Sequence, residues 1–159
     1  MNTSNSEYYF STNNFFWPTP GYHTITSKFG PRKSPTSGAS SNHSGVDIAA
    51  TEGSNIYSVT NCKIIFTGFK GAGGYTIVTE SDSFTISYCH VSPNFIVKVG
   101  DIISIGEIIG NVGPKYVYDV INNPYKDSNG KPTNGATTGC HLHLTIRKDG
   151  NLIDPCSLF

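Results

Sequence analysis

Short apolar runs broken by glycine set the rhythm of the chain. Residues 56–59, 62–66, 75–79, 84–89, 101–103, 108–112 and 142–146 each read as a strand. Gly68, Gly71, the Gly73-Gly74 pair, Gly100, Gly106 and Gly113 supply the turns between them. Many short strands at close spacing, with turn residues between them, predict an all-β, mostly antiparallel fold instead of βαβ units. The expected architecture is a compact β-sandwich or open sheet with few or no helices.

Two stretches stand apart from this rhythm. Residues 1–16 are polar, rich in Asn and Ser, and carry no period, so they read as an N-terminal arm in front of a single domain spanning 17–159. Residues 114–138 form a long, polar, tyrosine-bearing segment just before a histidine motif. A loop of more than about 12–15 residues inside a compact domain is commonly functional, and this one is expected to flank the active site. Its D-S-N-G, Asp127 to Gly130, reads as a turn, because N-G favours turns and the remaining ligands of a calcium loop are missing. The glycine cadence of 97–113 resembles the hammerhead hairpins of lipoyl-type carrier domains. No lysine occupies the hairpin tip that such carriers modify, so the stretch is scaffold.

Composition agrees with strands. The chain holds 17 glycines and 9 prolines, with Tyr, Phe, Ile, Val and Thr plentiful, which argues against a helical bundle. At 159 residues it can bury a core without disulfides. Its 11 basic and 11 acidic residues cancel, so no basic face is implied and no nucleic-acid partner is expected. No run approaches the roughly 20 apolar residues of a membrane span, and the N-terminus lacks the basic start and apolar run of a secretory signal.

The 4 cysteines (Cys62, Cys89, Cys140, Cys156) have no C-x-x-C spacing, so a structural zinc knot is not supported. Cys89 and Cys140 each precede a motif histidine. Strand neighbours point to opposite faces, so each thiol is expected to face away from its histidine as a buried small hydrophobe. A Cys89–Cys140 disulfide is the alternative if their strands pair.

The chemistry sits in the histidines. His43 and Asp47 form H-x-x-x-D, His90 ends Y-C-H, and His141 and His143 form H-L-H. On a strand, residues i and i+2 share a face, so the H-L-H imidazoles project together while Leu142, Leu144 and Ile146 face the core. Catalytic zinc takes imidazole and carboxylate donors from three residues and keeps a fourth position for water. The motifs contain such a set with imidazoles to spare. His23 has no partner pattern and reads as a surface histidine. Tyr88 is open to two readings, a groove residue beside His90 or a packing residue.

In order along the chain stand T-I-T-S-K-F-G-P-R (Thr24 to Arg32), P-T-S-G, H-S-G-V-D-I-A, S-Y-C-H-V-S, T-G-C-H-L-H-L and R-K-D-G-N-L-I-D-P (Arg147 to Pro155). This series resembles the M23 peptidases, the lysostaphin-like zinc endopeptidases that cut peptidoglycan peptides. The resemblance implies one zinc held by His43, Asp47 and His143, with His141 and His90 as catalytic residues acting on the water and the developing charge. It also implies a peptidoglycan peptide as substrate and an extracellular or wall-associated setting. The expected domain is a monomer, free-standing or part of a longer protein or phage tail assembly. The S-x-F-G-x-R motif containing Ser27 and Arg32 reads as a structural turn beside the metal.

The chain departs from the family pattern at Leu144 and Thr145, where Phe followed by Glu or Gln is common, at Cys140, and in the length of 114–138. Thr145 shares the face of His143, so its bond to that ring is expected to be shorter and neutral. The competing reading is a degenerate module that binds cell wall or a partner protein without catalysis. Retention of all three candidate ligands counts against it.

Overall fold

The computed structural model describes residues 14–159, which form twelve antiparallel β-strands and two short 3-10 segments. The strands are β1 (Ile25–Ser27), β2 (Gly30–Pro31), β3 (Asn42–His43), β4 (Val46–Ala49), β5 (Asn55–Tyr57), β6 (Cys62–Phe69), β7 (Tyr75–Glu80), β8 (Phe84–Cys89), β9 (Ile102–Ile103), β10 (Ile108–Asn111), β11 (His141–Lys148) and β12 (Asn151–Ile153). Eight of them make one sheet in the order β1-β4-β11-β8-β7-β6-β9, with β12 beside β11. β5 pairs with β10, and β2 with β3. The all-β expectation holds.

Strand β11 shows how sequence period becomes sheet orientation. Leu142, Leu144 and Ile146 are fully buried, while His141, His143 and Thr145 between them are only partly covered. The buried set packs with Ile48, Ile86 and Ile77 from the neighbouring strands and with Ile56, Val59, Ile109 and Val112 from the β5/β10 layer. Each aliphatic contributes about 1.5–3 kcal/mol by leaving water. A one-residue slip would exchange the three aliphatics for two imidazoles and a hydroxyl, so the register is strongly specified. One face of the sheet thus carries the core and the other is left for a polar groove.

The seven predicted strands all occur, some with shifted ends, but β1 to β4 and β12 were not among them. β4 matters most, since it carries Asp47. Its four residues V-D-I-A lie between β1 and β11 and show three buried residues in a row, so alternation gives no signal. Gly45 allows the turn into β4 to lie flat on β11, because a Cβ there would run into the Leu144 carbonyl.

Cys89 is a buried free thiol as expected, but alternation misjudges its side of the sheet, misplaces Cys140 and leaves Tyr88 undecided. Cys89 pairs in register with His143 and lies on the groove side of the sheet. His90 follows with φ of +60°, a left-handed conformation that is uncommon outside glycine. That turn ends the strand and swings His90 to the same side as Cys89. Cys140 is exposed, not buried, because it precedes the strand proper. All four cysteines are free. Tyr88 is a core residue whose hydroxyl accepts from the Val59 amide at 2.9 Å.

Of the predicted arm, residues 1–13 lie outside the described residues. Phe15 packs edge-on against Phe84 with ring centroids 5.2 Å apart, and the Phe16 amide donates to the Val59 carbonyl. The 114–138 segment turns back on itself through the bridges Tyr116–Thr133 and Lys126–Pro132. Asp127 closes its turn by accepting from the amides of Asn129 and Lys131 and from the Tyr116 hydroxyl.

Candidate metal centre

Three strands deliver the donors. β4 pairs with β11 so that Asp47 stands opposite His143, and β3 brings His43 alongside. His43 Nε2 lies 3.0 Å from His143 Nδ1 and 3.2 Å from Asp47 Oδ1, and His143 Nδ1 lies 2.8 Å from Asp47 Oδ1. Zinc bonded at about 2.0–2.1 Å to three corners of a tetrahedron needs donor spacings of roughly 3.3 Å. The triangle comes within about 0.5 Å of that spacing on each edge, so the donor set fits such an ion in size and in chemistry.

The outer partners fix which ring atom faces the centre. His43 Nδ1–H donates to the Lys28 carbonyl at 3.0 Å, which leaves Nε2 as a lone pair. His143 is reversed: Nε2–H donates to Thr145 Oγ1 at 2.7 Å and Nδ1 faces inward. Asp47 is held on both sides, with Oδ2 accepting from Arg32 at 3.2 Å while Oδ1 joins the donor triangle. Burial pushes the Asp47 carboxyl up, but the imidazoles of His141, His143 and His43 packed against it outweigh burial and hold the group well below the usual carboxylate range. Arg32, read from sequence as part of a structural turn, is therefore the group that orients the Asp47 carboxylate, assisted by Ser27 Oγ at 2.8 Å.

Two further imidazoles stand over the triangle. His141 Nε2 lies 3.5 Å from Asp47 Oδ1, and its Nδ1–H donates to the Gly139 carbonyl at 3.0 Å. His90 packs its ring 4.7 Å from that of His141, and its Nδ1–H donates to the Asn134 carbonyl at 2.6 Å. Both rings thus keep an unprotonated Nε2 for the centre. Burial, and then the neighbouring His141, push the His90 pKa down to about 3, so it stays neutral at working pH. His23 stacks on Trp17, away from the groove.

Sequence reasoning missed Asn134. It is fully buried. Its side chain accepts from the Tyr75 amide at 2.7 Å and donates to the Val91 carbonyl at 3.0 Å, while its own carbonyl holds His90. Gly74 opposite it has φ of +64°, and a Cβ there would strike the Asn134 carbonyl. The only trace in the sequence is the N-G dipeptide, which by itself signals a turn.

Two expectations follow from this geometry. Thr145→Val removes the acceptor that orients His143, and loss of such a partner costs about 10–100-fold in metal affinity. A competition titration against a chromogenic chelator measures it, with Thr145→Ser expected to stay near the parent. The second concerns acid. Unfolded histidine titrates near 6.5, so between about 6.5 and 3 the unfolded chain binds a proton that folded His90 refuses. His143 is also pushed down by burial, against the pull of Asp47. Stability of the metal-free protein is therefore full above about pH 6.5 and falls as pH drops. Depressed Asp47 adds in the same sense below about pH 4. The melting temperature of the chelator-treated protein should decline from pH 7 to pH 4; a flat profile contradicts the account.

The groove around this centre encloses about 600 Å³. Among the described residues, no helix is long and apolar enough to cross a membrane.

The sequence profile of peptidase family M23 matches residues 41–124. The DD-carboxypeptidase/endopeptidase Mpg of Neisseria meningitidis serogroup B is 29% identical over 138 residues, which are 86% of this chain and 27% of that protein. The chain thus spans about a quarter of the length of the curated relatives it resembles in this way. A zinc-containing peptidase from Vibrio cholerae superposes with a TM-score of 0.68 at 25% identity, over 89% of this chain and 39% of that one. The catalytic domain of the antimicrobial peptidase lysostaphin from Staphylococcus simulans shares the fold with a TM-score of 0.66 at 24% identity, over 86% and 91% of the two chains.

Proposed function

The chain belongs to peptidase family M23, and from that premise we propose that it is a zinc endopeptidase that hydrolyses peptide bonds of bacterial cell-wall peptidoglycan. The observation that carries this reading is the convergence of His43 Nε2, Asp47 Oδ1 and His143 Nδ1 within hydrogen-bond distance of one another. Their other ring atoms and carboxylate oxygen are already engaged by Lys28, Thr145 and Arg32. Three converging acceptors are costly to keep together without a cation between them.

Zinc in that position would polarise the scissile carbonyl and bring the pKa of its water toward neutrality. His141 takes the water's proton at Nε2 and delivers it to the leaving amine. The Gly139 carbonyl keeps His141 in the tautomer that can do so. His90, held neutral by burial, accepts a hydrogen bond at Nε2 and so aims the water, while the 114–138 segment supports it through Asn134. Such a substrate lies outside the cytoplasmic membrane, so the domain acts in the wall or periplasm. The relatives' greater length leaves room for other parts that deliver it.

The test is wall lysis followed as turbidity with the purified chain. Dialysis against a chelator should abolish it, and zinc at one equivalent should restore it. Mass spectrometry of the released muropeptides then identifies the bond. Lysis that persists after all metal is removed overturns the reading.

A further inference from the structure

Among the described residues, no acidic side chain apart from Asp47 lines the groove, whereas Lys70 and Arg147 both do. The chain as a whole is formally neutral, so this is a local separation of charge. Every ion pair among the described residues involves Asp47, and the one cation it takes from the groove is Arg32. Among the described residues, Lys70 and Arg147 are matched to no carboxylate. Lys70 instead rests its Nζ 5.3 Å from the centre of the Phe66 ring.

Along the strand direction, the sheet register places these two cations on opposite sides of the centre. Arg147 shares the face of His143 and lies four residues further along β11, about 13 Å away at 3.3–3.4 Å per residue. The row through His143 runs across Cys89 and Thr76 to Gly68, three strand spacings or roughly 14 Å. Lys70 lies two residues beyond Gly68, on the side away from Arg147, since β6 runs antiparallel to β11. Extended Lys and Arg side chains recover about half of each distance. Turned toward the centre, their charged ends would stand about two extended residues from it.

We infer that the groove selects a peptide that carries a free carboxylate on each side of the scissile bond, one met by Lys70 and the other by Arg147, over a neutral bridge such as glycyl–glycine. This rests on the peptidase reading above. Both cations are solvent-facing, so each contact contributes modestly, roughly two- to fivefold. Arg147 offers the planar fork that pairs with a carboxylate through two hydrogen bonds. Lys70 acts as a point charge whose reach is limited by its contact with Phe66. The effect is therefore one of preference, and it weakens with salt.

The experiment compares wall sacculi with free peptide carboxylates against the same sacculi amidated with carbodiimide and ammonia. The zinc-loaded protein should cut the carboxylate form about tenfold faster, and the ratio should shrink in 0.5 M salt. In the double variant Lys70→Met, Arg147→Met the ratio should fall toward one, while Lys70→Arg with Arg147→Lys should keep most of it. Equal rates on the two walls for the parent, or an unchanged ratio in the methionine variant, overturn the inference and leave the peptidase reading intact. If the parent cuts neither wall, the peptidase reading fails and co-sedimentation with the two sacculi decides. Carboxylate-dependent binding that the methionine variant loses supports the inference, and its absence overturns it.

Discussion

Asp47→Ala is expected to abolish wall hydrolysis and to leave the protein without stoichiometric zinc after dialysis. The carboxylate carries the only negative charge in the donor triangle, and its two oxygens do separate jobs. Oδ1 meets His43 and His143 at 3.2 and 2.8 Å, and Oδ2 takes the Arg32 guanidinium at 3.2 Å. Truncation leaves two neutral imidazoles facing a guanidinium in place of a carboxylate, which opposes any dication. Three protein ligands are the minimum for catalytic zinc, so loss of one should weaken binding by several orders of magnitude. Asp47→Asn separates the contributions, since it keeps the shape and an oxygen but removes the charge. Metal content by mass spectrometry and turbidity loss on purified walls provide the two readings. A variant that holds one zinc per chain and lyses walls at the parental rate excludes Asp47 as a ligand.

His141→Ala should retain its zinc and still lose most of its activity. The ring makes no donor contact within the triangle. It approaches Asp47 Oδ1 at 3.5 Å and is steered from behind by Gly139 and Thr137. General acid–base catalysis by a positioned imidazole contributes about 10²–10⁴-fold, and kcat should fall by that amount with little change in metal affinity. His90→Ala should fall by a similar factor. The double variant should fall by much less than the product of the two, because residues that act on one water as a unit are not additive. Removal of His90 also frees the Asn134 carbonyl, so His90→Gln, which can still donate to it, shows how much of the loss is positional. Parental turnover by His141→Ala with zinc in place would remove it from the mechanism.

The candidate site was legible in part because one of its strands is amphipathic in the simplest way. In H-L-H-L-T-I every second residue is aliphatic, and the core takes those residues while the imidazoles are left together on the opposite face. H-x-x-x-D was legible only through its place in an ordered series of motifs. β4 itself gave no usable signal, because four residues are too few to establish a period and its polar residue, Asp47, is buried although it lines the groove. Cys89 and His90 show the reverse failure. Alternation placed the thiol away from His90, but Cys89 pairs with His143 on the groove face, and the positive φ at His90 ends the strand and turns that ring to the same side. No local pattern announces that turn. It is held by the His90 amide donating to Gly73 and the Gly113 amide donating to the His90 carbonyl.

What the sequence determined by itself was the inventory and the phase: an all-β chain, an apolar face on β11, and the donor types at positions 43, 47, 90, 141 and 143. Those follow from period and residue chemistry, which are local. The tertiary structure decided which atom of each group faces the centre. His43 depends on the Lys28 carbonyl, His90 on Asn134 from a distant loop, and Asp47 on Arg32. A histidine's tautomer and a carboxylate's free oxygen are set by the partner on the far side, and that partner arrives only when the chain closes on itself.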